Sequence, residues 1–349
     1  MPDPIPVSAE DFRRLCEFLY RGTGMVFTES KRYYVERRVH ERMAATGSLT
    51  FNSYFARLRI DHAGEVEQLV NAFTVNETYF YRENHQLRCL TRDLLAGRPA
   101  TGNTIRIWSV PCSTGEEPYS IALWLLENWP PVDAHDIEIV GSDIDTTVLE
   151  AARTGRYGKR ALMHLPPAVV EKYFEQESED HWRILEDLRE SVRFAPVNLI
   201  DAAGTAAFGR FDVIFCRNVL IYFDEASRRV ASENLFESLL PGGFLCLGHT
   251  ESMSRISPLF EVRRFADAIV YQRPEERKAE RGMQAKLDRW AERDPERDAA
   301  RAGGRDGERD AARLPEGERG GAPRDGARGE APGAAAAGED TAPPARARV

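Results

Sequence analysis

Apolar residues recur at helical spacing through the first part of the chain, from about Ser8 to Arg98. Ser8 followed by Asp11 is typical of a helix N-cap. The apolar positions after it repeat every three to four residues, which predicts an amphipathic helix: Phe12, Leu15, Cys16, Phe18 and Leu19. The same spacing predicts further helices at 31–43, 51–58 and 66–72.

After Thr104 the pattern changes to short apolar runs that alternate with helical spacing. The runs predict strands at 105–110, 137–142, 192–196, 213–216 and 244–247, with a late strand at 268–272. Helices are predicted between them at 118–127, 147–153 and 225–240. This alternation is typical of a parallel sheet covered by helices on both faces, so we expect an α/β fold.

One interval, 155–191, interrupts the alternation and is too long for a simple connection. It holds scattered aromatic residues among glycine, proline and charged residues, which predicts an inserted subdomain. Within it, 182–185 is interpreted as a hairpin strand with an open edge, to which a partner's extended segment could add. A lid or a packing flap is the alternative interpretation.

Composition separates the end of the chain from the rest. The chain has 349 residues, 42% of them hydrophobic, which suffices for a core. From about Glu275 onward nearly all residues are Arg, Glu, Asp, Gly, Ala or Pro, with Trp290 the only aromatic residue. Such a segment cannot offset its ordering entropy by burial, so we expect 275–349 to be a disordered tail.

Charge and cysteine content narrow the class of protein. A net charge of −9 argues against a general nucleic-acid binder. The five cysteines show no zinc-binding spacing and suit a reducing compartment, so no metal site is expected. No apolar run approaches the length of a membrane span. We therefore expect a cytoplasmic protein without direct membrane insertion.

The predicted helix at 31–43 is a local exception to the negative charge. It carries a set of basic residues: Lys31, Arg32, Arg37, Arg38, His40 and Arg42. This helix is a candidate docking surface for an acidic partner. An ordinary solvated helix face is the alternative.

The strand at 105–110 leads into a turn of small residues at 113–118 and then into a helix. Such a turn lets a ligand approach the backbone and the free amides of the helix start. A phosphate-binding loop has Gly and Lys where this turn has Glu116 and Glu117, so the turn would repel a pyrophosphate but accept a nucleoside that carries a cation. A structural turn, with both acids stabilised by the helix dipole, is the alternative.

An acid follows the neighbouring strand. Asp143 ends the run that begins at Ile137, and an acid at this place can accept hydrogen bonds from both hydroxyls of a ribose. Asp145 has a different predicted role, as the cap of the next helix, because Thr146 and Thr147 follow it.

Polar residues also follow the strand at 213–216. Arg217 and Asn218 lie at its carboxyl end and are expected to point into the crevice where ligands bind, with Tyr222 one helical turn further on. For Tyr222 a core tyrosine is the alternative. Upstream of the sheet, a short segment is placed to lay polar side chains over the same crevice: Asn76, Thr78 and Arg82.

Several ordered motifs together resemble the chemotaxis receptor glutamate methyltransferases of the CheR type. The resemblance covers about residues 8–273. It is carried by TVNETYFYRE at 74–83, CSTGEEPYS at 112–120, SDID at 142–145, Asn198 with Leu199, FCRNVLIYF at 215–223 and GHTES at 248–252. Several blocks in one order are far more specific than any single block.

The resemblance implies a class I, Rossmann-like methyltransferase domain that binds S-adenosylmethionine. Carried over by position, it implies that these residues contact the cofactor: Asn76, Thr78, Arg82, Glu117, Asp143, Asn198, Leu199, Arg217 and Asn218. Of these, Asn198 and Leu199 would flank the adenine. Arg82 and Tyr222 would lie nearest the transferred methyl group and act as the catalytic pair, and S-adenosylhomocysteine would be the product.

The resemblance also implies the domain plan and the partners. We expect a helical N-terminal domain that docks on the receptor at 1–90, the methyltransferase domain at 91–274 with its β-subdomain inserted at about 155–191, and the tail at 275–349. The substrates would be glutamates in the cytoplasmic helical region of methyl-accepting chemotaxis receptors. In some family members the inserted subdomain also holds a receptor's C-terminal peptide. A monomer is expected.

Two other functions stay open on the sequence. One is a methyltransferase of the same fold that acts on another substrate, which fold alone does not exclude. The other is a cofactor-sensing signalling scaffold, against which the presence of Arg82 and Tyr222 argues.

Overall fold

The structure is a computed structural model, and it describes residues 7–60, 64–98, 104–252 and 257–275. The expected tail lies outside the described residues, except for Glu275. The helices are α1 (Ala9–Thr23), α2 (Arg32–Ala45), α3 (Phe51–Ile60), α4 (Glu65–Phe73), α5 (Asn84–Cys89), α6 (Glu116–Asn128), α7 (Thr146–Thr154), α8 (Lys159–Leu162), α9 (Pro167–Tyr173), α10 (Glu186–Glu190), α11 (Ala202–Ala206) and α12 (Glu225–Glu237).

The strands are numbered in the order in which they occur along the chain. They are β1 (Ile105–Ser109), β2 (Ile137–Asp143), β3 (Arg156–Gly158), β4 (Phe174–Ser178), β5 (His181–Ile184), β6 (Val192–Pro196), β7 (Phe211–Cys216), β8 (Leu239–Leu247), β9 (Glu261–Arg264) and β10 (Ile269–Gln272).

Helices α1–α4 pack around one core of their own, which includes Leu15, Val39, Tyr54 and Leu69. The predicted cap of α1 is confirmed, since the Ser8 side chain accepts the N–H of Asp11. A buried ion pair ties α2 to α4, in which Arg42 donates to both carboxylate oxygens of Glu65 at 3.0 and 2.7 Å. This helical unit therefore has its own hydrophobic centre.

The large sheet has seven strands, in the order β6-β2-β1-β7-β8-β10-β9. The first five are mutually parallel, as the alternation of strands and helices predicts. Neighbouring residues of β1 point to opposite faces, so Ile107 joins the core that contains α6 and Trp108 joins the core that contains α12. The prediction of a parallel sheet covered on both faces is confirmed for this part.

The far edge of the sheet differs from the prediction. The expected late strand is present as β10, but it is antiparallel to β8 and is followed outward by β9, which the sequence pattern does not predict. Helix α12 ends at Glu237, three residues before the predicted end at Leu240, because β8 already begins at Leu239. The sheet is therefore mixed, with a parallel core.

The interval 155–191 forms a small sheet of its own in the order β3-β5-β4. The prediction of an open edge at Trp182 is wrong, because Trp182 lies on the central strand β5 and faces Tyr157 on one side and Gln176 on the other. The outer strands are β3 and β4. An extended partner would therefore have to add to one of those two strands rather than to 182–185.

Candidate functional site

One cavity collects every residue that the sequence analysis assigns to the site. It opens at the carboxyl ends of β1, β2 and β7, on the side where α1–α4 adjoin the sheet. Its lining includes Asn76, Thr78, Arg82, Glu117, Asp143, Asn198, Leu199, Arg217, Asn218 and Tyr222. Parallel strands end at the same edge of a sheet, which explains how the segments after β1, β2 and β7, about 100 residues apart along the chain, meet here.

A buried ion pair forms the floor of the cavity. Glu117, in the first turn of α6, accepts the Nε–H of Arg217 on one carboxylate oxygen and the hydroxyl of Ser109 on the other. Arg217 also donates from Nη1 to the carbonyl of Arg82 at 2.8 Å. Both charged side chains are nearly excluded from solvent. The negative charge of Glu117 is therefore compensated within the protein, which the sequence analysis does not predict.

Glu116 takes no part in the cavity. It is 4% exposed, and its carboxylate accepts the Thr114 hydroxyl at 2.6 Å. Burial raises the pKa of Glu116 above its usual range. Of the two acids in the turn, only Glu117 faces the space where a ligand fits.

Asp143 is the second buried acid of the site. Its Oδ2 accepts the N–H of Ser113 at 2.8 Å and its Oδ1 accepts the N–H of Asp145 at 3.0 Å. Burial raises the pKa of Asp143 to about 6, against the lowering effect of these amides. An ionised carboxylate has about four lone-pair sites, so each oxygen keeps capacity for one more donor from a ligand.

Asp145 caps α7, as predicted, by accepting the amides of Thr147 and Val148. Its other oxygen accepts from Thr74 at 2.6 Å and from the side-chain amide of Asn76 at 2.9 Å. The cap therefore also anchors the segment that enters the sheet domain, and it places Asn76 and Thr78 over the cavity.

Arg82 and Tyr222 stand at the mouth of the cavity. Arg82 donates from Nη1 to the carbonyl of Glu77 at 2.7 Å, and its guanidinium lies 5.8 Å from the ring centre of Tyr79. Tyr222 is 36% exposed. Partial burial raises the pKa of its phenol, with a further rise from Tyr34 and an opposing effect from Arg82. At neutral pH the phenol is therefore uncharged and able to donate a hydrogen bond.

Asn198 and Leu199 line the cavity beyond β6. Leu199 is buried, while the Asn198 side chain donates to the carbonyl of Gly22 at 2.7 Å and accepts the amide of Ile200 at 3.2 Å. The amide of Asn198 thus joins the helical unit to the sheet domain in addition to lining the cavity.

Backbone strain is concentrated at this site. In the described part of the chain, four residues other than glycine have positive φ, and all four belong to segments that border the cavity: Tyr81 (58°), Glu83 (54°), Ser113 (49°) and Asn218 (61°). Such conformations persist only where surrounding contacts hold them, and they are typical of functional sites.

The helical unit supplies one wall of the cavity, which the sequence analysis missed. The wall includes Met25, Val26, Phe27, Lys31 and Tyr34, together with Thr23 and Phe73. The Val26 amide donates to the carbonyl of Tyr222 at 3.1 Å, and Met25 forms an isolated antiparallel bridge with Phe223. The only local signal is an apolar triplet directly after Gly24, and it does not reveal which distant segment it meets.

The arginines of the basic helix α2 are paired with acidic side chains, which its sequence does not indicate. Each of its arginines lies within 4 Å of a glutamate: Arg32 with Glu29 and Glu36, Arg37 and Arg38 with Glu41, and Arg42 with Glu65. The docking interpretation stays a prediction, since exposed pairs of this kind contribute little stability and can exchange partners.

The described residues hold no group of three or more His, Cys, Asp or Glu side chains arranged to bind a metal ion. No helix among them combines the length and the apolar character that crossing a bilayer requires.

The cavity combines apolar walls with two buried acids. Val110, Ile144, Val197 and Val219 line it beside the carboxylates of Asp143 and Glu117. Flat apolar walls suit a base, and an acid at the end of β2 suits ribose hydroxyls. The arrangement fits a nucleoside ligand better than a polyphosphate.

Two family models match the chain. The model described as "CheR methyltransferase, all-alpha domain" matches residues 10–74, and the model described as "CheR methyltransferase, SAM binding domain" matches residues 76–269.

Named relatives align over most of their own length. "Chemotaxis protein methyltransferase 2" of Vibrio cholerae is 46% identical over 279 residues, which is 79% of this chain and 97% of that protein. "Chemotaxis protein methyltransferase 2" of Pseudomonas aeruginosa is 39% identical over 253 residues, covering 72% and 89%. "Chemotaxis protein methyltransferase" of Escherichia coli is 36% identical over 267 residues, covering 75% and 91%.

Proposed function

Since the chain belongs to the CheR methyltransferase family and its cofactor is S-adenosylmethionine, we propose that it methylates glutamate side chains of methyl-accepting chemotaxis receptors. The product would be a glutamate methyl ester, as in sensory adaptation. The observation that carries the proposal is the composite cavity. Its nucleoside-binding end is built by the sheet, and its mouth brings Arg82 and Tyr222 together with a wall from the helical unit.

The cavity residues fit the cofactor. Asp143 retains acceptor capacity for two ribose hydroxyls, and Val197 and Leu199 offer an apolar surface to the adenine. The ion pair of Glu117 with Arg217 can serve the amino-acid end, because it presents both signs of charge. When bound, S-adenosylmethionine supplies a methyl group on a sulfonium; the methyl passes to a carboxylate oxygen and S-adenosylhomocysteine remains.

The protein's part in the reaction is to position the acceptor. A glutamate titrates near ~4.3, so the acceptor is already ionised at neutral pH and needs no strong base. Tyr222, as an uncharged phenol, can donate a hydrogen bond to this carboxylate but is not a base. Arg82 can orient the same carboxylate with its guanidinium. Both residues therefore hold the oxygen in line and partly free of water.

The domain roles belong to the same proposal. The region 1–90 would dock on the receptor through α2, 91–274 would carry the transfer, and the subdomain at about 155–191 could hold a receptor's C-terminal peptide along β3 or β4. The described part of β4 is consistent with this, since four of its five side chains are exposed.

The decisive test is incubation with methyl-labelled S-adenosylmethionine and receptor-containing membranes, followed by alkali. A glutamate ester releases volatile methanol, whereas an N-methyl product does not. Arg82→Ala should abolish most of this release, while Arg88→Ala on the exposed side of α5 should not. A scaffold would bind the cofactor without transfer, and full turnover in Arg82→Ala with unchanged cofactor affinity would contradict the positioning role.

A further inference from the structure

The turn after β8, 248–252, belongs to a sequence motif that the proposed function does not use. Its Glu251 is half-buried and accepts three backbone amides with one carboxylate. Oε2 accepts the N–H of Asn218 at 2.7 Å and of Gly248 at 3.0 Å, and Oε1 accepts the N–H of Leu220 at 2.8 Å. Three amides on one side chain make this a strong, charge-assisted cluster.

Two of these amides belong to the segment that carries Tyr222. Asn218 has φ 61°, a conformation that a residue other than glycine keeps only under constraint. Leu220 begins the 3-10 turn Leu220–Tyr222. The first amides of a helical turn lack acceptors within it and must find them elsewhere. Glu251 supplies the acceptor at both positions.

The turn 248–252 also contacts the segment that carries Arg82. His249 contacts the carboxylate of Glu83 at 3.0 Å, and Glu83 directly follows Arg82. The turn 248–252 therefore touches both segments that present side chains at the mouth of the cavity. It contributes no residue to the lining of the cavity itself.

Resting on the proposed function, we infer that Glu251 is a positioning residue for methyl transfer. Its carboxylate holds the segment 218–222 so that Tyr222 faces the acceptor glutamate. Glu251 acts through this segment and contacts neither acceptor nor cofactor.

Local packing leaves little room for another arrangement. A Cβ added at Gly248 would lie 2.8 Å from Nδ2 of Asn218 and 2.9 Å from Oε2 of Glu251. The turn is thus pressed against the segment it supports. An aspartate at 251 is one methylene shorter and cannot reach all three amides. A glutamine has the right length but would place an NH₂ group against an N–H, so one or two of the hydrogen bonds are lost.

The consequence should appear in the transfer step more than in cofactor binding. Glu251 accepts the backbone N–H of Asn218, one of the proposed cofactor contacts, but its hydrogen bonds reach neither Glu117 on α6 nor Asp143 on β2, the two acids proposed to hold the cofactor. A shift of about 1 Å in a positioning group can cost as much as a hundredfold in rate. We therefore expect kcat to fall about tenfold or more in Glu251→Gln, while the Kd for S-adenosylhomocysteine rises less than about threefold.

The experiment compares Glu251→Gln with Glu233→Gln, an exposed position on α12, in the full-length protein with receptor-containing membranes. Tyr222→Phe and the double variant complete a cycle. If Glu251 acts through Tyr222, its replacement should cost at most about twofold in the Tyr222→Phe background, because coupled residues are not additive. Glu251→Asp should restore less than half of the lost rate.

The inference would be overturned if the kcat of Glu251→Gln were within twofold of that of the wild-type protein. It would also be overturned if cofactor affinity fell by the same factor as kcat, or if the effects of Glu251→Gln and Tyr222→Phe on kcat were fully additive. Failure of the proposed function is distinguishable, because the unchanged protein would then release no methanol from the same membranes.

Discussion

At the scale of single residues, the two acids of the cavity are held in different ways. Glu117 is paired with the guanidinium of Arg217, whereas Asp143 is held by the backbone amides of Ser113 and Asp145. Burial outweighs the lowering effect of these amides at Asp143 and raises its pKa to about 6. The charge of Asp143 therefore changes near pH 6.

Cofactor affinity should depend on this ionisation. Only the ionised Asp143 can accept hydrogen bonds from two ribose hydroxyls, so the Kd for S-adenosylhomocysteine should rise about tenfold for each pH unit below about 6. Calorimetric titrations between pH 5 and pH 8 measure this directly. The unchanged protein should bind about tenfold more weakly at pH 5 than above pH 7, where the curve levels off.

The control is Asp143→Asn, which should bind weakly at every pH and lack the slope. The stability of the ligand-free protein should show the opposite sign. Because the pKa of Asp143 in the folded protein lies above that of an aspartate in the unfolded chain, Asp143 contributes most to stability at low pH, and this contribution is lost as pH rises through about 6. A Kd that stays constant from pH 5 to pH 7 would rule out this role for Asp143.

At the scale of elements, local signals predict what local contacts determine. The caps at Ser8 and Asp145 and the apolar runs of β1 and β2 follow from neighbouring residues, and the structure confirms them. Strand β9 could not be predicted, because three of its four residues are charged (Glu261, Arg263 and Arg264) and the segment forms a strand only through pairing with β10.

The residues of the site also fall into two groups, those that a local pattern locates and those that depend on distant contacts. Asp143, Arg217 and Asn218 lie at or directly after strand ends, and topology brings the ends of parallel strands together, so their meeting could be predicted from the sequence. The wall from Met25, Val26 and Phe27 could not, because it meets Phe223 across about two hundred residues of chain. The compensation of Glu117 by Arg217 was missed for the same reason, since no local pattern links the two residues.

Helix α2 presents the basic side chains of the proposed docking surface. Arg37 and Arg38 share Glu41 as an ion-pair partner, and Arg38 lies 4.9 Å from the ring centre of Tyr34, which lines the cavity. If receptor helices dock here through acidic residues, reversing both arginines to glutamate should raise KM for receptor about tenfold, because like charges then face each other. The Kd for the cofactor should not change.

Steady-state methylation of membranes at several receptor concentrations measures this KM. Reversal of Arg57 and Arg59, two exposed arginines on α3 of the same helical unit, changes net charge equally and is the matched control. The effect of the α2 reversal should also shrink at high salt. Equal KM values for the two double variants would contradict docking on α2.

At the scale of the whole molecule, the cavity depends on close contact between the helical unit and the sheet domain. Gly24 ends α1 with φ 75°, and a Cβ there would lie 2.9 Å from Cγ2 of Ile200 and 3.1 Å from Oγ of Ser227. Two residues later, the Val26 amide holds the carbonyl of Tyr222. The packing at Gly24 therefore sets the position of the wall relative to the mouth of the cavity.

Gly24→Ala should accordingly reduce both stability and activity, whereas Gly47→Ala tests the backbone effect alone. Gly47 has φ 66°, but a Cβ there would meet nothing within 4 Å. Both replacements should cost about 1–2 kcal/mol for the left-handed backbone, and Gly24→Ala about 1–3 kcal/mol more for overpacking. Chemical denaturation measures the free energies of unfolding, and receptor methylation measures kcat/KM, which should fall only in Gly24→Ala. Equal losses in the two variants would mean that the contact between the domains does not shape the site.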